Sequence, residues 1–322
     1  MVSVHAKFVT AMPRRHTSAI LDALSDADIA HFYEQGYCVL EDVVSPRDLT
    51  AALGSLSEQT TPDGVHQTDR YNKEGRVDFR KISNLAKEND SFRVLACNAG
   101  VVFAIEALLK QSALLFRDLM VVKPAQDGAH LDFHQDSAYW DIEPRSLISA
   151  WFTFRDVGPQ DGCLQVIPGS HTKHYEHDIL FAGERPLPQT ITAALRKMAS
   201  LAGTGDSDAS GFSAARRLKN SVLGQLTRHA SFLAKLQDLH ARVPKEEKNS
   251  AINLPVRAGS VILFHSMLLH ASNPNTSAFD RPAYIASYMG DQFTFCGVGE
   301  PEFLVVGESP KPTFQKINAA KR

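Results

Sequence analysis

Cysteine is scarce. The 322 residues contain four, Cys38, Cys97, Cys163 and Cys296, far apart and with no C-x-x-C pair or zinc spacing. A disulfide framework and a zinc-stapled fold are therefore excluded, and a reducing compartment is expected. No apolar run is long enough to span a bilayer, and the N-terminal stretch lacks the apolar core of a secretory signal. Charge of one sign is not in excess either. Lys and Arg number 34, Asp and Glu 36, and the net charge of −2 gives no general pull toward nucleic acid or anionic membrane. No internal repeat is visible. The expectation is a cytoplasmic protein, monomeric or homodimeric, with neither nucleic acid nor membrane as partner.

What is present suits one large domain: 43% hydrophobic and 22% charged residues, enough for a core that needs no structural metal. Residues 1–24 read as a flexible leader. Within it, residues 1–21 carry Lys7, Arg14, Arg15 and no acid, a composition that faintly resembles an organelle transit peptide. Ser25 and Asp28 form a near capping box for a helix carrying Ile29, Phe32 and Tyr33 and ending at Gly36. Tyr37–Leu40 reads as a strand, and Ser45-Pro46 opens a second helix. Residues 59–75 are polar and are expected to form a surface loop. Phe92–Leu109 follows a helical period with Gly100 as the break. From Leu147 onward, short dense strands alternate with Gly/Pro turns, the signature of an antiparallel β architecture. A helical insert is expected over about 178–250, with helices at 191–201 and 223–239 and a flexible link at 203–211. Its basic residues, among them Arg196, Arg216 and Arg228, are expected on a solvated face. The single domain then runs over 25–322.

The chemistry concentrates in Phe133-His134-Gln135-Asp136-Ser137-Ala138-Tyr139-Trp140. On a strand, residues two apart leave the same face, so His134 and Asp136 would offer a nitrogen and a carboxylate oxygen to one cavity. With a second histidine this makes two His and one carboxylate on one side of a metal, the arrangement of non-haem Fe(II) oxygenases. His130 and Asp132 offer the same spacing, and His265 and His270 are both available as the distal histidine. Spacing alone leaves these alternatives open.

Several stretches, in order, resemble the phytanoyl-CoA dioxygenase family of Fe(II)- and 2-oxoglutarate-dependent oxygenases. They are Phe32-Tyr33-Glu34-Gln35-Gly36-Tyr37, Val122-Lys123-Pro124, His134-Gln135-Asp136 with Tyr139, Asp161 through His171, Gly259 through His265, and His270-Ala271-Ser272 with Pro274, Asn275 and Arg281. The resemblance implies a mainly β fold with flanking helices around a double-stranded β-helix, or jelly-roll, core. It implies Fe(II), 2-oxoglutarate and O2 as cofactor and cosubstrates, and hydroxylation of an unactivated carbon of a small-molecule substrate, such as a natural-product or small-acid intermediate, with release of succinate and CO2. It selects His134, Asp136 and His270 as metal ligands, and Arg281, Ser272 and Lys81 as contacts to 2-oxoglutarate. Arg281 has a chemical reason for its role, since a guanidinium fork matches a planar carboxylate. Tyr139 and Trp140 are candidates for the substrate wall. His171 and His174 are expected as solvated rim residues. A small residue at position 136 would leave a site for halide; Asp136 there implies hydroxylation. Two other functions fit parts of the pattern: a cupin-type metal dioxygenase that needs no 2-oxoglutarate, and a non-catalytic metal- or ligand-binding β-barrel.

Overall fold

The computed structural model describes residues 24–57, 66–72, 74–140, 142–181, 236–295, 302–305 and 314–316. The leader to residue 23, the expected helices at 191–201 and 223–235, the 203–211 link, the basic residues named within it and Cys296 lie outside the described residues.

In chain order the helices are α1 (Asp26–Gln35), α2 (Pro46–Ser57), α3 (Leu85–Glu88), α4 (Asp90–Ala96), α5 (Ala99–Leu109) and α6 (Lys245–Lys248). The strands are β1 (Tyr37–Leu40), β2 (His66–Tyr71), β3 (Val77–Ser83), β4 (Ala113–Lys123), β5 (Leu131–His134), β6 (Ile142–Glu143), β7 (Ile148–Thr153), β8 (Leu164–Val166), β9 (His177–Phe181), β10 (Leu236–Ala241), β11 (Ile252–Leu254), β12 (Val261–His265), β13 (His270–Ser272), β14 (Arg281–Gly290), β15 (Thr294–Phe295), β16 (Glu302–Val305) and β17 (Phe314–Lys316).

The chain divides into two compact units. The larger comprises Met1–Tyr175 and Val243–Arg322, the smaller Glu176–Arg242. The larger unit is built on two antiparallel sheets. The major sheet runs β1-β12-β7-β14-β4, with β3 and β2 continuing from β4; the minor sheet runs β11-β8-β13-β5. This is the jelly-roll core. Strand alternation assigns each residue a side. On β7, Ile148, Ala150 and Phe152 face the helices, where they meet Phe32 of α1, Leu49 of α2, Phe92 of α4 and Ile105 of α5. Trp151 faces the other way, into a second cluster with Ile262 and Phe264 of β12 and Leu164 and Val166 of β8. The major sheet thus carries a helix-covered face and a face turned toward the minor sheet, and its own functional residues lie on the latter.

Local signals hold where the chemistry is local. Ser25 and Asp28 form the full capping box, and Gly36 ends α1 in the left-handed region at φ 87°. The stretch expected as a loop over 59–75 contains β2. Its sequence, His-Gln-Thr-Asp-Arg-Tyr, is polar because β2 is an edge strand paired only with β3. The expected break at Gly100 falls earlier: Asn98 caps α5 by accepting from the backbone N–H of Gly100 and of Val101, both at 3.1 Å, and Gly100 lies inside the helix.

In the smaller unit, β9 pairs with β10 in antiparallel register. Residues 236–239, expected as helix, are strand, since a short apolar run does not distinguish the two by periodicity. Arg242 closes the pair with contacts of 2.8 Å and 2.6 Å to Asp178 and 2.9 Å to Glu176. Among the described residues no single helix is long and apolar enough to cross a membrane.

Candidate metal centre and anion pocket

Two adjacent strands of the minor sheet supply the histidines. β5 ends at His134, β13 begins at His270, and the two are direct cross-strand partners. Their ring centres are 4.2 Å apart. Both rings are fixed in the same way. His134 Nδ1 donates to the Asp132 carbonyl and His270 Nδ1 to the Leu268 carbonyl, each at 2.9 Å. A carbonyl only accepts, so Nδ1 carries a proton, and in the neutral ring the lone pair is then on Nε2. Each imidazole therefore presents a ligating nitrogen held by an outer hydrogen bond.

The carboxylate arrives by a different route from the one the spacing implies. The strand does not run through both residues; it stops at His134, and Asp136 opens a 3-10 turn over Asp136–Ala138. The side-by-side relation survives because Gln135 keeps an extended backbone, φ −111° and ψ 126°. Gln135 is fully buried. Its Nε2 donates to the carbonyls of Lys173 at 2.8 Å and Met267 at 2.6 Å, and its Oε1 accepts from Tyr175 N–H at 3.1 Å. With Gln135 anchored to one side, its two neighbours project to the other.

Asp136 Oδ1 lies 3.8 Å from His134 Nε2 and 3.6 Å from His270 Nε2. Asp136 Oδ2 accepts from Ser149 Oγ at 2.9 Å, and Ser149 Oγ is 3.1 Å from Ser287 Oγ. One carboxylate oxygen is thereby held from β7 while the other faces the imidazoles. The ligand atoms of His134, Asp136 and His270 all lie within 4.8 Å of one another. Two nitrogens and one oxygen so gathered fit Fe(II) with positions left open.

The rival residues are placed elsewhere. His130 Nε2 and Asp132 Oδ1 pair with each other at 3.2 Å, both side chains more than 40% exposed. His265 packs against Phe32 and His171 and accepts the Met267 N–H on Nδ1 at 3.1 Å. Burial pulls its pKa down to about 4. His171 is half-buried and donates from Nε2 to the Tyr33 carbonyl at 3.2 Å, so it is not a solvated rim residue. Gly36 makes room for it: a Cβ at that position would meet His171 Nδ1 at 2.7 Å. His171 and His265 both line a cavity of about 270 Å³ to which no triad residue contributes. His174 is exposed, as expected.

A second constellation lies on the major sheet. Arg281 begins β14 and Lys123 ends β4, and they are direct cross-strand partners. Arg281 is 2% exposed and Lys123 0%. The guanidinium carbon of Arg281 lies 5.6 Å from the Trp151 ring centre, while its Nε and Nη1 are buried without a protein partner. Burial lowers its pKa to about 10. Lys123 Nζ donates to the carbonyls of Ser272 at 3.0 Å and Asn273 at 2.6 Å. Asp161, whose charge acts on Arg281, is committed to Arg155 at 2.7 Å and to the Gly158 N–H at 2.8 Å. Ser272 is buried and stands two residues from His270 on β13. A buried guanidinium with unmet donors is costly unless an anion reaches it. A carboxylate of a small ligand meets that need with charge-assisted hydrogen bonds. The residues present thus fit a bound dicarboxylate.

Lys81 stands on β3 opposite Val121, its ammonium 5.2 Å from the Phe79 ring centre. Phe79 in turn packs with Leu119, Val121, Leu131 and Ile285, an apolar wall. Tyr139 is 37% exposed and meets the His134 ring edge-on at 5.9 Å. Trp140 packs into an apolar cluster with Leu114, Ile142, Leu147 and Met289, and meets Phe116 edge-on at 4.7 Å. Of the two aromatic candidates, Tyr139 is the one in contact with a triad residue. Sequence reasoning missed Ser149, Ser287 and the anchoring role of Gln135. The available signal was a serine inside the otherwise apolar strand Ile148–Thr153, where every residue is buried.

The family model for phytanoyl-CoA dioxygenase (PhyH) matches residues 32–283. A mouse phytanoyl-CoA dioxygenase domain-containing protein 1 is 24% identical over 213 residues, 66% of this chain and 57% of the mouse protein, so the chain spans just over half the length of that relative. An ectoine dioxygenase from Sphingopyxis alaskensis is 25% identical over 277 residues, 84% of this chain and 77% of that protein. Among solved structures, the carbocyclase SnoK from nogalamycin biosynthesis superposes with a TM-score of 0.57 at 19% identity, covering 87% of this chain and 89% of SnoK. EctD from S. alaskensis with bound Fe gives 0.54 at 20% identity, covering 87% of this chain and 83% of EctD. These likenesses are of fold. The family match takes in the minor sheet, most strands of the major sheet, the three clustered ligand atoms and Arg281, and the chain belongs to the phytanoyl-CoA dioxygenase (PhyH) family.

Proposed function

We propose that the protein is an Fe(II)- and 2-oxoglutarate-dependent dioxygenase that hydroxylates an unactivated carbon of a small organic molecule. One observation carries this: three converging ligand atoms on and beside the minor sheet accompany a buried arginine on the major sheet, two of whose donor atoms have no protein partner. A 2-oxoglutarate-independent metal dioxygenase has no use for that arginine. When bound, iron and 2-oxoglutarate supply O2 activation, with 2-oxoglutarate oxidised to succinate and CO2. The chain supplies the rest. His134, Asp136 and His270 hold one face of the metal and leave the other open. Arg281 and Ser272 take the distal carboxylate of 2-oxoglutarate, with Lys81 a further contact. Ser149 keeps Asp136 turned toward the metal. Phe264, with its ring centre 4.7 Å from that of His270, helps keep water off that ligand.

The apolar wall of Phe79, Leu119, Val121, Leu131 and Ile285 suits a substrate with an apolar portion, and Tyr139 stands at the exposed side near His134. The relatives' names, ectoine dioxygenase and a carbocyclase of nogalamycin biosynthesis, favour a natural-product or small-acid intermediate. The test is succinate formation from 2-oxoglutarate with Fe(II) and O2, across a panel of such molecules. His134→Ala and Asp136→Ala should each abolish it. Succinate formation that persists in either variant removes the assignment.

A further inference from the structure

Lys123 and Arg281 sit directly across from each other, both buried. Among the described residues neither makes an ion pair with a carboxylate. Two adjacent buried cations repel, and each pays its own desolvation cost. Arginine does not give up its proton under ordinary conditions; lysine does.

The hydrogen-bond count points the same way. Lys123 Nζ makes two donations, to the carbonyls of Ser272 and Asn273. A neutral amine has two N–H groups, and both are then met; an ammonium has a third. The charged and titratable groups that act on Lys123 come from every side: Arg281 on β14, Arg70 on β2, and the Cys163 thiol ahead of β8, which burial raises. Asp161, which acts on Arg281, is neutralised by Arg155. Burial first, then Arg281 and Arg70, bring the lysine pKa down to about 6.

We infer that Lys123 is a proton-coupled positioning residue: without 2-oxoglutarate it is a neutral amine, and it takes up one proton from solvent when the distal carboxylate arrives beside Arg281. The inference rests on the proposed function. It gives Lys123 two tasks. It ties β13, which carries His270 and Ser272, to the end of β4, and it adds positive charge to the pocket only when an anion is there to balance it. No bond other than the new Nζ–H forms. Because binding takes up a proton, affinity for 2-oxoglutarate falls as pH rises above the lysine's unliganded pKa, by up to about tenfold per pH unit.

The test is calorimetric titration of the Mn(II)-loaded protein with 2-oxoglutarate at pH 7.5, in buffers of differing ionisation enthalpy. Manganese keeps the metal ligands deprotonated and prevents turnover, and 2-oxoglutarate is already a dianion at this pH. The slope should give about 0.5 to 1 proton taken up per cosubstrate, falling to near zero in Lys123→Met. Should that variant not fold, the wild-type Kd measured from pH 6.5 to 8.5 decides: a rise of about tenfold per unit supports the coupling, and a flat profile overturns it. Binding without proton uptake, or uptake that persists in folded Lys123→Met, overturns the role of Lys123 and leaves the dioxygenase proposal standing. No binding of 2-oxoglutarate to the metal-loaded protein overturns both.

Discussion

Ser149→Ala should weaken metal binding without unfolding the protein. Ser149 is the second residue of β7, fully buried, and its hydroxyl donates to Asp136 Oδ2 at 2.9 Å. That bond fixes which carboxylate oxygen faces His134 and His270. A hydrogen bond to a charged group contributes about 1.5 to 3 kcal/mol. At about 1.4 kcal/mol per factor of ten, its loss should raise the metal Kd by about 10- to 100-fold, the range typical of outer-sphere partners of metal ligands. The substitution deletes one oxygen atom and leaves little void, so the apoprotein's melting temperature should barely change. Ser287→Ala is the control. It removes only the neutral contact between the two serines at 3.1 Å, which contributes about 0.5 to 1.5 kcal/mol, and should cost less than about tenfold. Competition with a chromophoric chelator, using Mn(II) in air or Fe(II) under anaerobic conditions, reads both values. If Ser149→Ala binds metal within about twofold of wild type, Asp136 is not held in the way described.

Arg281→Met should raise the Kd for 2-oxoglutarate by about 100-fold or more, since charge-assisted bonds to a carboxylate are lost, while metal affinity stays within a few-fold of wild type; calorimetry on the Mn(II) form separates the two. His130→Ala should change neither, because His130 pairs with Asp132 at the surface; a large loss of metal affinity would reopen the assignment of the triad. His265 gives a pH prediction. Its folded pKa is about 4, below the unfolded value of about 6.5, so the neutral ring stabilises the fold above pH 6.5 and that contribution is lost as pH falls toward 4. The shift corresponds to about 3 kcal/mol. In urea melts at pH 7 and pH 4.5, His265→Gln should lose about 2 to 3 kcal/mol less than wild type between the two; equal losses would show that His265 is not the group titrating.

The parts of the fold legible in the sequence were those set by local chemistry. Ser25, Asp28 and Gly36 bracket α1 by capping alone. The apolar strands Ile148–Thr153 and Val261–His265 were legible because both faces of the major sheet are covered. Where pairing decides, the sequence misled. β2 is polar yet becomes a strand because β3 offers it an edge, and Leu236–Ala241 is strand because β9 does the same. The triad residues were singled out by likeness to a family, not by spacing, since two H-x-D pairs and two late histidines met the spacing equally well. What separated them is three-dimensional: His134 and His270 are cross-strand neighbours, while His265 packs with Phe32 and His171. The expected strand through Asp136 was the wrong element with the right outcome, because Gln135 keeps the extended backbone that alternation needs. The full burial of Lys123 was not legible, since it depends on β4 and β13 coming together.

The most direct test is anaerobic titration of the apoprotein with Fe(II) and 2-oxoglutarate, followed by the weak visible charge-transfer band of the chelate. The expected band saturates at one equivalent of each, is absent in Asp136→Ala, and needs much higher 2-oxoglutarate in Arg281→Met. Absence of the band in the wild type at saturating Fe(II) and 2-oxoglutarate would contradict the proposed function and withdraw the roles given to Arg281 and Ser272.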